Sequence, residues 1–186
     1  MKKENIENRI YWYIKRLLDI ILSIILIIIT LPIILIVLLV TYINIGSPLI
    51  DIRIKRYGKN KKLFYMYKIR TRVYDKDGNS SYTKVSKAID RWHLNELPQL
   101  FNILKGDMSF IGPRPFIYNE KLPKGKISEK RYLVKPGVTG LAQVNGGKYL
   151  THIQKLSYDE IYYDNFGFMQ DLKIFVKTPI SYIKQR

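Results

Sequence analysis

The sequence predicts an α+β protein: a small mixed α/β cytosolic domain on an N-terminal re-entrant membrane helix hairpin broken at Pro32. Three observations predict it. Residues 17–43 are almost wholly apolar, basic residues flank that run on both sides, and short alternating stretches mix with helical periodicity after Gly46-Ser47-Pro48. The division falls at residue 46, with a membrane-anchoring segment over 1–46 and a single domain over 47–186.

The apolar run is interrupted only by Asp19, Ser23, Thr30, Pro32, Thr41 and Tyr42. As one helix it is roughly 40 Å long, more than a bilayer core requires. It is too long for the apolar part of a signal peptide, and no small-residue cleavage site follows it. Lys2, Lys3, Arg9, Lys15 and Arg16 precede it, and Arg53, Lys55, Arg56, Lys59, Lys61 and Lys62 follow it. The excess of positive charge that orients a single span toward the cytosol therefore does not distinguish its ends. Pro32 lacks an N–H and clashes with the preceding turn, so it kinks a helix. A segment that enters and leaves on one face keeps both basic flanks in the cytosol; a straight span is the rival reading. Lys15 and Asp19, four residues apart, are placed to pair on one helix face. Tyr11, Trp12, Tyr13 and Tyr42 suit a membrane interface.

In the domain, residues 50–54 and 63–69 alternate as strands, joined through the basic turn Tyr57-Gly58-Lys59-Asn60. Residues 74–84 are polar, with Asp77-Gly78-Asn79 as a turn, and read as a loop. Residues 97–104 have helical periodicity and stop at Gly106. The two prolines of Gly112-Pro113-Arg114-Pro115 fix φ and make a rigid loop. Residues 135–147 are turn-rich, and 156–165 and 171–183 read as amphipathic helices.

Composition narrows the function. The 186 residues hold 32 Lys and Arg against 15 Asp and Glu, and no cysteine. Disulfides and thiolate metal sites are excluded. A net charge of +17 asks for anionic neighbours: nucleic acid, anionic lipid or phosphorylated substrates. The basic residues flank an apolar segment and no nucleic-acid motif is present, so anionic lipid is expected and nucleic acid is not.

Several stretches, in order, carry a resemblance. They are Lys15-Arg16-Leu17-Leu18-Asp19; Lys55-Arg56-Tyr57-Gly58-Lys59-Asn60; Tyr67-Lys68-Ile69-Arg70-Thr71; and Asn95-Glu96-Leu97-Pro98-Gln99-Leu100. Asn102-Ile103-Leu104-Lys105-Gly106-Asp107-Met108-Ser109 then runs into Gly112-Pro113-Arg114-Pro115. Lys135-Pro136-Gly137-Val138-Thr139-Gly140-Leu141-Ala142-Gln143-Val144 follows, with 159–165 and 171–173 behind it. Together they resemble the bacterial sugar transferase family, the monotopic phosphoglycosyl transferases. The resemblance implies transfer of a sugar phosphate from a UDP-sugar to undecaprenyl phosphate, on the cytosolic face of the bacterial inner membrane. It implies Mg2+ and an Asp-Glu pair whose Asp attacks the β-phosphate. By family position Glu96 is the metal carboxylate and a catalytic residue, Asp159 is an acid near the site, and Lys15, Asp19 and Pro32 belong to the anchor. Lys68 and Arg70, alternating on a strand, are expected to face one anion, Arg114 and Arg91, one place from the family's arginine, to bind phosphate, and Gln143 to meet a uracil or sugar edge. Cations around a diphosphate offset the repulsion an anionic nucleophile meets, and Arg114 offers a planar fork between two prolines.

The sequence departs from that pattern at the expected centre. Asn95 stands at the nucleophile position, and an amide nitrogen is a poor nucleophile. Asp90 stands where the family has Arg, His93 where it has Ser, and Gly147 where it has a phosphate-binding Arg. Three readings stay open: a transferase in which Glu96 or the acceptor phosphate attacks; an impaired homologue that binds substrate, lipid or a partner glycosyltransferase; and a variant in which Asn95, nearly isosteric with Asp, traps the substrate. In each, Asn95 is expected to face the β-phosphate.

Overall fold

The computed structural model describes residues 6–51, 55–119 and 129–184. Helix α1, Ile6–Ile45, is 40 residues long and contains Pro32. The break into two separate helices expected at Pro32 is not present. A proline removes one N–H bond, and the bonds on either side of that gap carry the helix through. Thr30 Oγ1 donates to the Leu26 carbonyl one turn back (2.7 Å), which adds to the irregularity at this point. Residues 10–45 are long and apolar enough to cross a membrane, by length and composition.

Both ends of α1 are docked on the domain. Near its start, Arg16 donates to the Ile103 and Leu104 carbonyls (both 2.7 Å), the orphan acceptors at the C-terminus of α3, Gln99–Lys105. Near its end, Val37 packs with Ile69 and Ile89, and Arg70 donates to the Ile45 and Gly46 carbonyls at 3.0 and 2.6 Å. Between the ends, Ile28, Ile29, Leu35 and Ile36 are exposed.

Lys15 and Asp19 do not pair with each other as expected. Lys15 bonds Asp171 of α6, Phe168–Lys184, at 2.5 Å. Tyr11 and Tyr162 donate to the same carboxylate at 2.6 and 2.8 Å. Asp19 accepts from Ser109 Oγ (3.0 Å) and the Phe110 N–H (3.1 Å). The i,i+4 spacing allowed a local pair, but buried partners from the domain claim both charges. Tyr11 is thus a core residue, and Trp12 stacks on Phe166 (centroids 4.3 Å apart), while Tyr13 and Tyr42 are exposed.

Among the described residues the strands form three two-stranded sheets. β1 (Lys55–Tyr57) and β2 (Leu63–Tyr65) are antiparallel, with Arg56 opposite Phe64, around the expected turn, where Asn60 takes a left-handed conformation. Of the strand expected over 50–54, Ile50 makes an isolated bridge to Ile69; residues 52–54 lie outside the described residues. The loop expected over 74–84 contains a small hairpin, β3 (Val73–Tyr74) with β4 (Ser80–Ser81). Asp75 holds its turn by accepting from the Asp77 and Asn79 N–H groups. β5 (Ser109–Ile111) and β6 (Gly137–Thr139) are parallel.

Helix α2, Lys84–Arg91, was not expected; a Thr83–Ser86 capping box starts it. α3 ends at Gly106 (φ 96°), as the sequence predicts. α4, Leu141–Val144, lies in the turn-rich stretch, and α5, His152–Asp164, starts four residues earlier than expected because Thr151 caps it. Tyr11, Val134, Tyr162, Phe166 and Ile174 form the cluster that joins α1, α5 and α6.

Replacing Asp171 by Asn leaves the Lys15 ammonium buried without a counter-charge. The expected cost is about 3–5 kcal/mol, a fall of roughly 10 °C in melting temperature, measured by thermal unfolding in detergent micelles.

Candidate active site

Two backbone arrangements bring the sequence-predicted residues together. The first is the exit from α2. His93, at φ 55°, takes the left-handed conformation that few non-glycine residues adopt, and it turns the chain into a 3-10 turn over Leu94–Glu96. The Asn95 carbonyl accepts from the Ile69 N–H (2.9 Å), which lays this turn beside Lys68. Asn102 clamps the same segment: its amide donates to the Tyr65 carbonyl and accepts from the Tyr67 N–H, both at 2.8 Å. Lys68 then reaches Glu96 Oε1 at 3.0 Å and Asp90 Oδ1 at 3.9 Å.

The second arrangement is the contact between the Gly112-Pro113-Arg114-Pro115 loop and β6. A Cβ on Gly112 would overlap the Lys135 carbonyl, and one on Gly137 would overlap the Gly112 nitrogen. Backbone approach this close requires glycine. Arg131 supports the loop from behind: it donates to the Arg114 carbonyl (2.6 Å), lies 3.2 Å from Asp159 Oδ2 and stacks 3.3 Å from the Phe116 ring centroid.

Between them lies a cavity of about 1040 Å3. Arg91, Arg114, Lys148 and Lys155 line it against Glu96 and Asp159, so it is electropositive. Leu26 and Thr30 of α1 and Tyr182 of α6 line it as well. The electropositive cavity is thus walled in part by the apolar helix. Burial opposes ionisation of Glu96, but Lys68, with help from Arg114 and His93, outweighs it and holds the carboxyl below its usual value. Burial pushes Asp159 up to about 6, and Arg131 only partly offsets this.

The sequence-predicted set divides. Glu96, Arg91, Arg114, Gln143 and Asp159 line the cavity, and Lys68 touches Glu96. Lys68 and Arg70 were expected to face one anion; Arg70 instead caps the C-terminal end of α1. The bridge at Ile69 is an isolated one, without the continuous strand that alternation on one face requires. Asn95 was expected to face substrate, but it is fully buried and donates its amide to Asp90 Oδ1 at 2.7 Å. Asn95 Oδ1 is buried without a hydrogen-bond partner. His93 is half-exposed in the cavity wall, 3.8 Å from Glu96 and edge-on to Tyr182. Gly147 and Lys148 both line the cavity, so a lysine stands beside the position where an arginine was expected. Arg131, which positions Arg114, escaped sequence reasoning: it lies in the basic run Lys130-Arg131, and nothing local marks it as buried.

The family pattern implies Mg2+. Among the described residues no group of three His, Asp or Glu side chains could hold a metal. Mg2+ needs only one or two carboxylates when substrate phosphates supply the rest. The ionised, cavity-lining Glu96 fits that mode and no other.

A family model described as bacterial sugar transferase matches residues 10–185. The chain belongs to the bacterial sugar transferase family. It is 37% identical over 172 residues to the uncharacterized sugar transferase EpsL of Bacillus subtilis, covering 89% of this chain and 85% of that protein. It is 34% identical to the UDP-N-acetylgalactosamine-undecaprenyl-phosphate N-acetylgalactosaminephosphotransferase of Aeromonas hydrophila, over 91% of this chain and 43% of that one. It is 36% identical to the UDP-glucose:undecaprenyl-phosphate glucose-1-phosphate transferase of Klebsiella pneumoniae, over 92% and 40%. The chain thus spans less than half the length of these last two members of the family.

Two outcomes are expected. Asp159 has a folded pKa raised above its unfolded value of 3.8. Its contribution to stability is therefore fully present below pH 3.8 and is lost as the pH rises through about 6. Carboxyl carbon NMR is expected to show one resonance titrating near 6, absent in Asp159→Asn. Asn95→Asp places a second buried carboxylate against Asp90, and like charge and burial both raise its pKa. The variant is expected to match the parent near pH 4 and to lose about 3 kcal/mol by pH 7, for a rise of roughly two in pKa. Chemical denaturation at the two pH values measures it.

Proposed function

We propose that this chain transfers a sugar 1-phosphate from a UDP-sugar to undecaprenyl phosphate at the bacterial inner membrane. This is the first membrane step in assembling a capsule, exopolysaccharide, O-antigen or glycoprotein glycan. One observation carries the reading: a single cavity is lined both by Arg91, Arg114 and Glu96 and by Leu26 and Thr30 of the apolar helix. A nucleotide sugar and a lipid phosphate need both kinds of wall. The relatives whose names specify UDP-sugars and undecaprenyl phosphate support it.

In this reading Arg91, Arg114, Lys148 and Lys155 neutralise the diphosphate and the charge that develops on transfer. Arg114 presents a planar donor fork whose backbone is pinned by Arg131. Lys68 keeps Glu96 ionised to ligate Mg2+ along with substrate phosphates; the ion supplies charge neutralisation. Gln143 offers amide groups to the sugar or uracil.

The anchor is re-entrant in this reading. Arg16 ties one end of α1 to α3 and Arg70 ties the other to the same domain, so both ends belong on the cytosolic face. Pro32 and the Thr30 back-bond lie between them. The basic flanks then face anionic headgroups, each Lys or Arg contributing ~1 kcal/mol near the surface.

The test is UMP release with undecaprenyl phosphate and a panel of UDP-sugars. At least one sugar is expected to support release, lost on adding chelator, and Arg114→Ala is expected to lower kcat/KM about 10²-fold. No release with any sugar would remove the assignment. For topology, cysteines placed in a tag before Met1 and at Lys61 are both expected to resist an impermeant maleimide in intact cells. Labelling of one alone would establish a straight span.

A further inference from the structure

We propose that His93 joins Glu96 as a second protein ligand for the divalent cation, so that the site takes a transition-metal ion such as Mn2+ in preference to Mg2+. The inference rests on the transfer reading above, which brings a UDP-sugar diphosphate to Glu96. Both side chains line the cavity, together with Arg91 and Arg114.

The backbone turns the two side chains the same way. The His93 carbonyl accepts from the Glu96 N–H at 3.0 Å and closes the 3-10 turn over Leu94–Glu96. With three residues per turn, side chains three apart lie one above the other. His93 Nδ1 consequently stands 3.8 Å from Glu96 Oε1. That gap is too wide for a hydrogen bond, but it suits a shared ion. Two ligands each about 2.1 Å from one metal are ~3.4 Å apart at a tetrahedral angle and at most ~4.2 Å apart. The His93 side chain is 55% exposed, so the ring has room to close on an ion.

His93 has little structural work at this place. Its φ of 55° is left-handed, a conformation that persists in non-glycine residues where the surroundings impose it and that gathers at ligand sites. Among the described residues its ring makes no hydrogen bond; it meets Tyr182 edge-on, with centroids 5.6 Å apart. Lys68 Nζ holds Glu96 Oε1 at 3.0 Å, and Glu96 Oε2 has no hydrogen bond among the described residues. Substrate phosphates bring the negative charge that lets an ammonium and a dication share one carboxylate.

The ligand set decides the metal. Mg2+ takes oxygen ligands and dehydrates reluctantly, so a carboxylate with phosphate oxygens and waters serves it well. An imidazole nitrogen adds little to Mg2+ but is a common ligand of transition metals. Mn2+ is the weakest binder of the first-row series, which makes it the stringent probe.

The experiment is titration of Mn2+ into the full chain in detergent micelles with UDP present, followed by EPR, with Mg2+ measured by competition. His93→Ser is expected to raise the Mn2+ Kd at least fivefold and the Mg2+ Kd less than twofold, whereas Glu96→Gln is expected to weaken both ions. Pulsed EPR of the bound Mn2+ is expected to show coupling to an imidazole nitrogen. That signal is expected to vanish in His93→Ser and to persist when His152, the other histidine lining the cavity, is replaced by Ala. A smaller rise in the Mn2+ Kd, bound Mn2+ without nitrogen coupling, or coupling lost with His152 and kept without His93 would overturn the proposal and leave the transfer reading standing. Should His93→Ser fail to fold, the nitrogen signal in the parent and in His152→Ala decides. Failure of the parent to release UMP from any UDP-sugar, with lipid and either ion present, would instead bring down the transfer reading.

Discussion

The structure depends on one buried carboxylate. Asp171 accepts from Tyr11 and Lys15 of α1 and from Tyr162 of α5 while belonging to α6. Three helices therefore meet at two oxygens. A charge that far from water survives only if its acceptor capacity is filled, and here each partner comes from a different turn or element. Burial, with the Asp171 charge and hydrogen bond, pushes the Tyr162 hydroxyl well above its ordinary range, so it stays a donor. The arrangement specifies where the membrane helix leaves the domain, because no neighbouring register of α1 presents Tyr11 and Lys15 together.

That constraint explains the shape of the cavity. With its first turns fixed at Asp171 and its last turns fixed by Arg70, α1 has its middle against the open side of the domain. Leu26 and Thr30 become cavity wall, and the opposite face stays apolar and exposed. An electropositive cavity and an exposed apolar surface share one helix. The electropositive lining needs no strong specificity of its own, since the glycine contact between Gly112 and β6 and the Arg131 strut already aim Arg114 inward.

Much of this was legible in the sequence, and the failures have physical reasons. The apolar run, the helix ending at Gly106 and the rigid Gly112–Pro115 loop follow from local rules of burial, left-handed glycine and fixed proline φ. The loop over 74–84 held a two-residue hairpin because strands this short leave almost no alternation to read. α2 was missed because its apolar positions are few and its capping box uses Ser86 rather than the Glu or Gln that signals one. Lys15, Asp19 and Arg70 were each assigned a partner by local spacing and took one from a distant element, which spacing alone does not encode. Glu96 and Arg114 were singled out by motif position and Arg91 as one place off it, and all three line the cavity.

Asn95 marks where positional reading stops. Read by motif, Asn95 stands where a nucleophile is expected and Asp90 where an arginine is expected, two departures that look independent. In space the two positions share a 2.7 Å hydrogen bond. An Asp at 90 beside an Asp at 95 would force two carboxylates together, and an Arg at 90 beside an Asn at 95 would leave a cation without its counter-charge. The pair found here avoids both. Its amide donates, its carboxylate accepts, and the negative charge sits on the more exposed member. The two positions thus read as one coupled pair, with Lys68 between its carboxylate and that of Glu96.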